Sequence, residues 1–565
     1  MRLRARLVLS LTAVASLVGA LGLWAAPPPE EPPLTARAKV IHVLNRLGFG
    51  PRPGEVEKVL GMGIDAWIEQ QLHPERIPDP IAQGKLRDLP TLSMSTADLF
   101  EKFERPLRQA RRERQRKAAR DGNARNGTEG AEVDFEKMRE QIPPEKRPRR
   151  IIEELSASRV LKAAYSERQL NEVMVDFWMN HFNVFAAKGL DRIFVTSFER
   201  DAIRPNIWGR FEDLLMATAK SPAMLFYLDN AQSTADEANR LRMRAFGARR
   251  WALGTDSEMR PQKKTGGLNE NYARELMELH TLGVDGGYTQ KDVTELARVL
   301  TGWSIDRRGG EPGAFVFRAA AHDVGGKTVL GNRFSGGGME EGEKMIHVLA
   351  RHPSTAHHIA FQLCQRLVAD DPPKELVERV ARKFLATDGN LRQTVKAIVE
   401  SPEFFDPKFY RAKVKSPFEY VVSAVRAAGG DTDGRMPIVR AIAQMGEPLY
   451  LCQPPTGYSD VASAWVNTGA LVARLNFALA LAANQLPGTQ IDVARLLKPE
   501  EAADPKKSVE ALSRALTGGD LTPETRQTIE KRLENRTASA DDPSANTQLP
   551  MVAGLILGSP EFQRQ

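Results

Sequence analysis

The segment Ser166 to Phe185, SERQLNEVMVDFWMNHFNVF, constrains the fold more than any other stretch of the chain. Placed at 100° per residue, Leu170, Val173, Met174, Val175, Phe177, Trp178, Met179, Phe182, Val184 and Phe185 cover most of a helix circumference. Glu172, Asp176, Asn180 and Asn183 form one narrow polar stripe. A helix that is apolar nearly all round has to be buried, so the rest of the chain must wrap it. Ser166 and Gln169 have the spacing of a capping box at its start. His181 falls inside the apolar arc and must therefore be buried with a partner. Two roles fit it: a metal ligand or acid-base group, or a core histidine bonded to a carbonyl or carboxylate.

The remaining elements predict a mainly α fold, a large multi-helix domain with a small β-hairpin or arm around 309–338. With 565 residues, 42% of them hydrophobic, the chain can bury a large core. Residues 36–72 read as two short helices separated by the Gly48–Pro53 turn. Residues 101–150 read as a basic insertion, a solvated helix running into disorder. Residues 231–267 read as a loop insertion, and 488–565 as a helical C-terminal extension with a polar stretch near 498–547. Ser221-Pro222, Ser401-Pro402 and Ser559-Pro560 mark breaks where serine caps and proline starts a helical turn.

Arg2, Arg4 and Arg6, then an uncharged run from Leu7 to Trp24, make residues 1–26 a secretory signal peptide. Val18-Gly19-Ala20 fits the small-residue cleavage rule better than Trp24-Ala25-Ala26. The alternative is an N-terminal membrane anchor. A proline-rich linker, 27–35, follows. Export to the periplasm or beyond is the expected localisation. Cys364 and Cys452 could form a disulfide there or remain two buried thiols.

The net charge of +7 is not spread over the fold. Nine basic and three acidic residues give 104–126 a charge of +6, and the leader arginines add +3, so the rest is about −2. This excludes a generally basic, nucleic-acid-binding surface and gives no sign of sequence-specific nucleic acid recognition. Segment 104–126 is either a solvated linker or a contact for an anionic polymer or lipid surface.

Three further segments hold polar groups. In Leu268–Trp303, Asn269 can cap a helix running to Leu282, with Glu270, Asn271, Arg274 and Glu275 opposite its apolar face and His280 at the edge. Arg274 and Glu278 are spaced to pair, Gly283 suits a left-handed stop, and Thr289 with Asp292 suits a capping box. Ala321–Leu330 loosely matches a phosphate loop, but Thr328-Val329-Leu330-Gly331-Asn332 cannot start the helix that phosphate binding needs. His322, Asp323 and Lys327 remain as polar groups that could line a cleft. His357 and His358 are adjacent, point about 100° apart and cannot chelate one metal, so 352–367 reads as structural. HExxH, GxSxG and CxxC patterns are absent, as is any nucleotide or flavin motif.

Several of these words belong together. The chain resembles the bacterial family called domain of unknown function 1800 in LNRLGFGPRPGEVEKVLGMGIDAWIEQQL (44–72), VDFWMNHFNVF (175–185), SPAMLFYLDN (221–230) and NENYARELMELHTLGVDGGYTQKDVTELARVLTGW (269–303). HDVGGKTVLG (322–331), HPSTAHHIAFQLCQRLV (352–368), SPEFF (401–405), KSPFEYV (415–421) and PPTGYSD (454–460) extend the resemblance over most of 36–485, within a family domain of 36–487. It implies export, a mostly helical fold and a partner among exported proteins encoded nearby, and it transfers no catalytic residues. Two functions stay open. One is a scaffold or partner-binding protein of the cell envelope. The other is an envelope enzyme, metal-dependent or acid-base, with a cleft between 175–185, 269–283 and 322–327. Its candidate catalytic groups are Asn180, His181, Glu270, Asn271, Arg274, Glu275, His280, His322, Asp323 and Lys327, and its candidate metal ligands His181, His280, His322 and Asp323.

Overall fold

Glycines and short caps divide the chain into many short helices, which the computed structural model describes over residues 32–120, 143, 146–235, 267–306, 311–537 and 548–565. Residues 1–31, where the signal peptide and most of the proline linker are expected, and 121–142, 144–145, 236–266, 307–310 and 538–547 lie outside the described residues.

Thr35 caps α1 (Ala36–Arg46), its hydroxyl accepting from Ala38 N–H at 3.2 Å. Two helices then follow where one was expected, α2 (Glu55–Met62) and α3 (Ile64–Leu72). Gly63, at φ 91°, ends the first and begins the second; an L side chain would be strained there. The basic stretch carries α4 (Arg105–Arg120), the solvated helix expected there, and the disorder expected beyond it falls on residues mostly outside the described ones.

The predicted central helix is α6 (Gln169–His181), which follows α5 (Arg149–Tyr165). Met174, Trp178 and Phe182 are fully enclosed, and the Trp178 ring packs against Phe182 and Phe211, each centroid 5.8 Å away. The Ser166–Gln169 capping box does not form. Ser166 sits in the tight break between α5 and α6, where its hydroxyl donates to Asp79 at 2.7 Å and accepts from Arg168 N–H. The Gln169 amide turns back to the Ala163 and Ser166 carbonyls, which the end of α5 leaves open.

The next helices are α7 (Asn271–Glu278), α8 (Gln290–Val299), α9 (Met339–Ala350) and α10 (Pro353–Leu367). Helix α7 is shorter than predicted; Gly283, at φ 83°, lies beyond its end. The Thr289–Asp292 capping box of α8 forms. Arg274 does not reach Glu278. It lies 3.6 Å from Glu270 and bonds Gln290, while Glu278 accepts from the Tyr288 hydroxyl.

The single arm expected at 309–338 is two antiparallel hairpins. Strand β1 (Trp303–Ile305) pairs with β2 (Phe315–Phe317), and β3 (Lys327–Val329) pairs with β4 (Asn332–Phe334). Leu330 (φ 47°) and Gly331 (φ 78°) both turn left-handed, which matches strand twist and closes the second hairpin on itself. A third pair joins β5 (Asp431–Thr432) to β6 (Thr489–Gln490). Gly342 of α9 lies flat on the Trp303 indole, where an added Cβ would sit 2.4 Å from the ring. Gly342→Ala is therefore expected to lower stability by upward of about 1 kcal/mol through overpacking, read as a reduced urea midpoint at unchanged slope.

The C-terminal part comprises α11 (Pro417–Ala427), α12 (Thr468–Ala482), α13 (Pro505–Thr517) and α14 (Gln548–Leu557). The polar stretch near 498–547 includes α13, which buries Val509, Leu512 and Leu516. Helix α14 packs on α12, with Gly554 and Gly558 against Leu479 and Leu475. Among the described residues, most core side chains from Val40 to Phe562 form one large cluster, beside a small one of Leu89, Ala157 and Leu161. Cys364 and Cys452 are both buried free thiols.

Candidate functional site

The polar stripe of α6 is where the core opens. It lines a cavity of about 210 Å³ whose other walls come from α5, α10 and the segment 447–465. That volume is below the roughly 300–1,000 Å³ of drug-sized ligand sites, so only a small molecule fits.

Two stripe residues hold the wall in place. The Asn180 amide donates to Tyr458 O at 2.8 Å and its oxygen accepts from Tyr458 N–H at 2.7 Å. Asn183 donates to Cys452 O and Pro454 O. Gly457, at φ 70°, lets the loop approach; a Cβ there would lie 2.4 Å from the Asn180 carbonyl. Asn180 thus spends its amide on positioning the PPTGYSD loop.

The third stripe residue, Asp176, enters a buried ionic cluster. Asp176 pairs with Arg159 and, at 3.1 Å, with Arg366. Arg366 also reaches Glu419 at 2.7 Å and Asp460 at 3.4 Å. Lys413 pairs with Asp370 at 2.7 Å and donates to the Asp460 carbonyl. Arg159 lies between the Phe418 and Tyr450 rings, 5.0 and 5.3 Å from their centroids. Tyr450 takes the left-handed conformation (φ 62°), a strain of order 1–3 kcal/mol, and its hydroxyl donates to Glu199 at 2.5 Å.

Glu447 completes the cluster as a carboxyl without a bonded cation. Its Oε2 accepts from Phe418 N–H at 2.8 Å. Burial, then the Asp176 charge, push its pKa up to about 7, against the pull of Arg159. Burial also raises Asp460, although Arg366 and Lys413 oppose it. Five carboxyls (Asp176, Asp370, Glu419, Glu447, Asp460) face Arg159, Arg366, Lys413 and the more distant Arg46 and Arg474, but the ion pairs among the described residues go to the other four and leave Glu447 without one. The group with the highest local cost of ionisation keeps a proton near neutrality, the property an acid–base catalyst needs. Cys452 also lines the cavity, but burial pushes its thiol up to about 11, so it is no thiolate at neutral pH.

The residues singled out from the sequence fall into three separate groups. His181 lines the cavity and is buried as expected; its Nε2 lies 3.3 Å from His280 O and its Nδ1 2.7 Å from the Gln362 side-chain amide. Both partners are carbonyl oxygens, Gln362 Oε1 being the nearer, and a neutral ring can donate to only one of them. Burial, with His280 and His358 nearby, holds the His181 pKa well below the usual histidine range, and burial takes His280 to about 3. The rings of His181 and His280 are 6.1 Å apart. Among the described residues, no group of three or more His, Cys, Asp or Glu is placed to hold a metal ion.

The second group does not line the cavity. Asp323 accepts two bonds from Arg298, Lys327 pairs with Glu341 at 2.6 Å, and His322 lies between the Thr301 carbonyl and Glu341. These bonds tie the β3–β4 hairpin to α8 and α9. The third group joins α7 to α8: Glu270 accepts from Gln290 and Thr294, Arg274 donates to Gln290, and Asn271 lies 3.5 Å from the Leu228 carbonyl. Burial and the Glu278 charge raise the Glu275 pKa. No residue of 269–283 or 322–327 lines the α6 cavity. Arg159, Arg366, Glu447, Tyr450 and Asp460 are not among the residues the sequence points to; the one signal of them in the sequence is the polar stripe of α6.

Fold and cavity together define a class: a mainly α-helical protein that encloses a small ionic cavity beside its central aromatic helix. The chain belongs to the family described as Protein of unknown function (DUF1800), whose model matches residues 42–564, including the C-terminal segment. Neither the curated proteins nor the solved structures contain a match.

Proposed function

We propose that this chain is an exported enzyme that transfers a proton to or from a small polar molecule in the α6 cavity, with Glu447 as the acid–base group. One observation carries the reading: a buried carboxyl in the cavity wall whose pKa is pushed up to about 7. Arg159 and Arg366, fixed by Asp176 and by aromatic rings, offer positive charge for whatever anion develops as the proton moves. Export rests on residues 1–26; among the described residues, no helix is long and apolar enough to cross a membrane. A partner-binding role draws its support from the basic 104–126 segment, an anionic polymer or lipid surface being the fitting partner.

The test is turnover. Purified protein is incubated with polar small-molecule extract of its own cell envelope, and mass spectrometry follows every component. The expected result is depletion of at least one component by wild type, with a rate that changes through about pH 7, and a loss of at least a hundredfold in Glu447→Gln. If wild type depletes nothing, or the variant depletes the same component at the same rate, the reading is wrong.

A further inference from the structure

A second and wider cleft, about 900 Å³, lies between α1, the 51–57 turn, α11 and α13, and Lys415 lines it. Three lysines are buried among the described residues: Lys327, Lys413 and Lys415. Lys327 has Glu341 at 2.6 Å and Lys413 has Asp370 at 2.7 Å, so both are compensated ammonium ions. Lys415 is 3% exposed and, among the described residues, has no carboxylate in ion-pair range. Its Nζ donates to Ser423 Oγ and to the Phe562 carbonyl, each at 2.8 Å. Two acceptors satisfy a neutral amine, whereas the third proton of an ammonium ion would meet only the Phe562 ring, its centroid 4.2 Å from Nζ. Burial, then the Arg411 and Arg474 charges, hold the amine well below the usual lysine range, against the pull of Glu419. A desolvated lysine beside other cations is the environment that makes an amine nucleophilic at neutral pH.

The cleft also selects a charge. Arg37, Arg495, Lys498 and Arg514 line it against Glu57 and Glu501, in a protein whose charge outside 104–126 and the leader is about −2. Among the described residues, Lys498 forms no ion pair and Arg495 only the exposed one with Asp492. Field lines from such a cleft favour an anion.

We propose that Lys415 captures an anionic carbonyl compound, of the 2-oxo acid type, as an imine in this cleft, a site independent of the α6 cavity. The Nζ lone pair attacks the carbonyl carbon, and the C=O π pair moves to oxygen and is protonated. The carbinolamine then loses water. Nζ gives up its two protons to the departing water oxygen, and one C=N bond replaces one C=O bond. Ser423 Oγ, already bonded to Nζ, is placed to relay a proton.

The test uses the full chain with pyruvate and cyanoborohydride at neutral pH, followed by peptide mass mapping. Labelling governed by exposure would favour Lys58 and Lys344, whose side chains are 60% and 69% exposed, and would reach Lys415 last. The expected result is the reverse: the reduced pyruvate adduct forms on Lys415 first, and Lys415→Met abolishes it while other lysines label as before. With acetaldehyde, a neutral carbonyl, the preference for Lys415 over exposed lysines should fall at least tenfold. Adducts confined to exposed lysines in wild type overturn the proposal whether or not the variant folds. Equal preference with the two carbonyls overturns its anion selectivity.

Discussion

Arg366→Met is expected to cost about 3–5 kcal/mol of folding stability at pH 7.5, the range for breaking a buried ion pair from one side. The guanidinium is 7% exposed and contacts Asp176, Glu419 and Asp460 together, so its removal leaves three carboxyls short of positive charge at once. Methionine keeps the apolar stem, which limits the packing loss and isolates the charge. The effect should depend on pH. Burial alone would raise the Glu419 pKa, but the Arg366 charge and the Ser416 N–H bring it below the usual glutamate value. A carboxyl with a depressed folded-state pKa contributes stability above its unfolded pKa of about 4.5 and loses it as pH falls. That contribution is missing from the variant, so its deficit should shrink as pH falls from 7.5 to 4. Urea unfolding at several pH values measures both quantities. Arg37→Met is the control: the Arg37–Glu57 pair is 45% and 61% exposed, and its loss should cost no more than about 0.5 kcal/mol. A deficit below 1 kcal/mol for Arg366→Met, or one that ignores pH, would mean that the cluster is effectively solvated.

The same arginine shows what periodicity can and cannot report. Helical spacing marked α6 as the buried centre because its apolar residues occupy nearly every direction, and burial of Trp178 and Phe182 follows from that alone. The stripe Asp176–Asn180–Asn183 was visible as well. Its meaning was not, because the charges that face it are brought there by tertiary packing: Arg366 bonds Asp176 across 190 residues of chain. Sequence spacing sees only neighbours on one element, and on its own element Arg366 is one residue of a structural helix. Glu447 carried no motif, since its property arises from enclosure and from the Asp176 charge rather than from adjacent residues. His322, Asp323 and Lys327 had a local signature and do cluster, but with Arg298 and Glu341 instead of α6. Ser166 and Gln169 failed as a capping box for a related reason. The break between α5 and α6 is so short that both side chains serve the end of the preceding helix and its neighbours.

Glu447→Gln should raise stability and remove the proposed activity together. The folded-state pKa of Glu447 is pushed up to about 7 from an ordinary 4.5, so the native protein binds this proton more tightly than the unfolded chain. A raised folded-state pKa favours folding below the unfolded value, and that advantage is lost as pH climbs through the folded value. Above pH 7 the native state therefore carries an uncompensated carboxylate, at a cost on the order of 2–3 kcal/mol. Glutamine has the same shape, cannot ionise, and keeps an oxygen to accept the Phe418 N–H bond, so no new unsatisfied group arises on the backbone side. The variant and wild type should be nearly equal at pH 4, with the variant ahead by that margin at pH 8. Urea unfolding at the two pH values, beside a carboxyl infrared band that titrates near pH 7 in wild type and is absent from the variant, reads the effect directly. A variant that is less stable than wild type at pH 8, or offset from it equally at both pH values, would show that Glu447 is ionised and compensated in the native state. A natural sequence retains a residue that destabilises its own core by this much when the ionisable group itself is used, which is why the stability gain and the loss of turnover are expected in the same molecule.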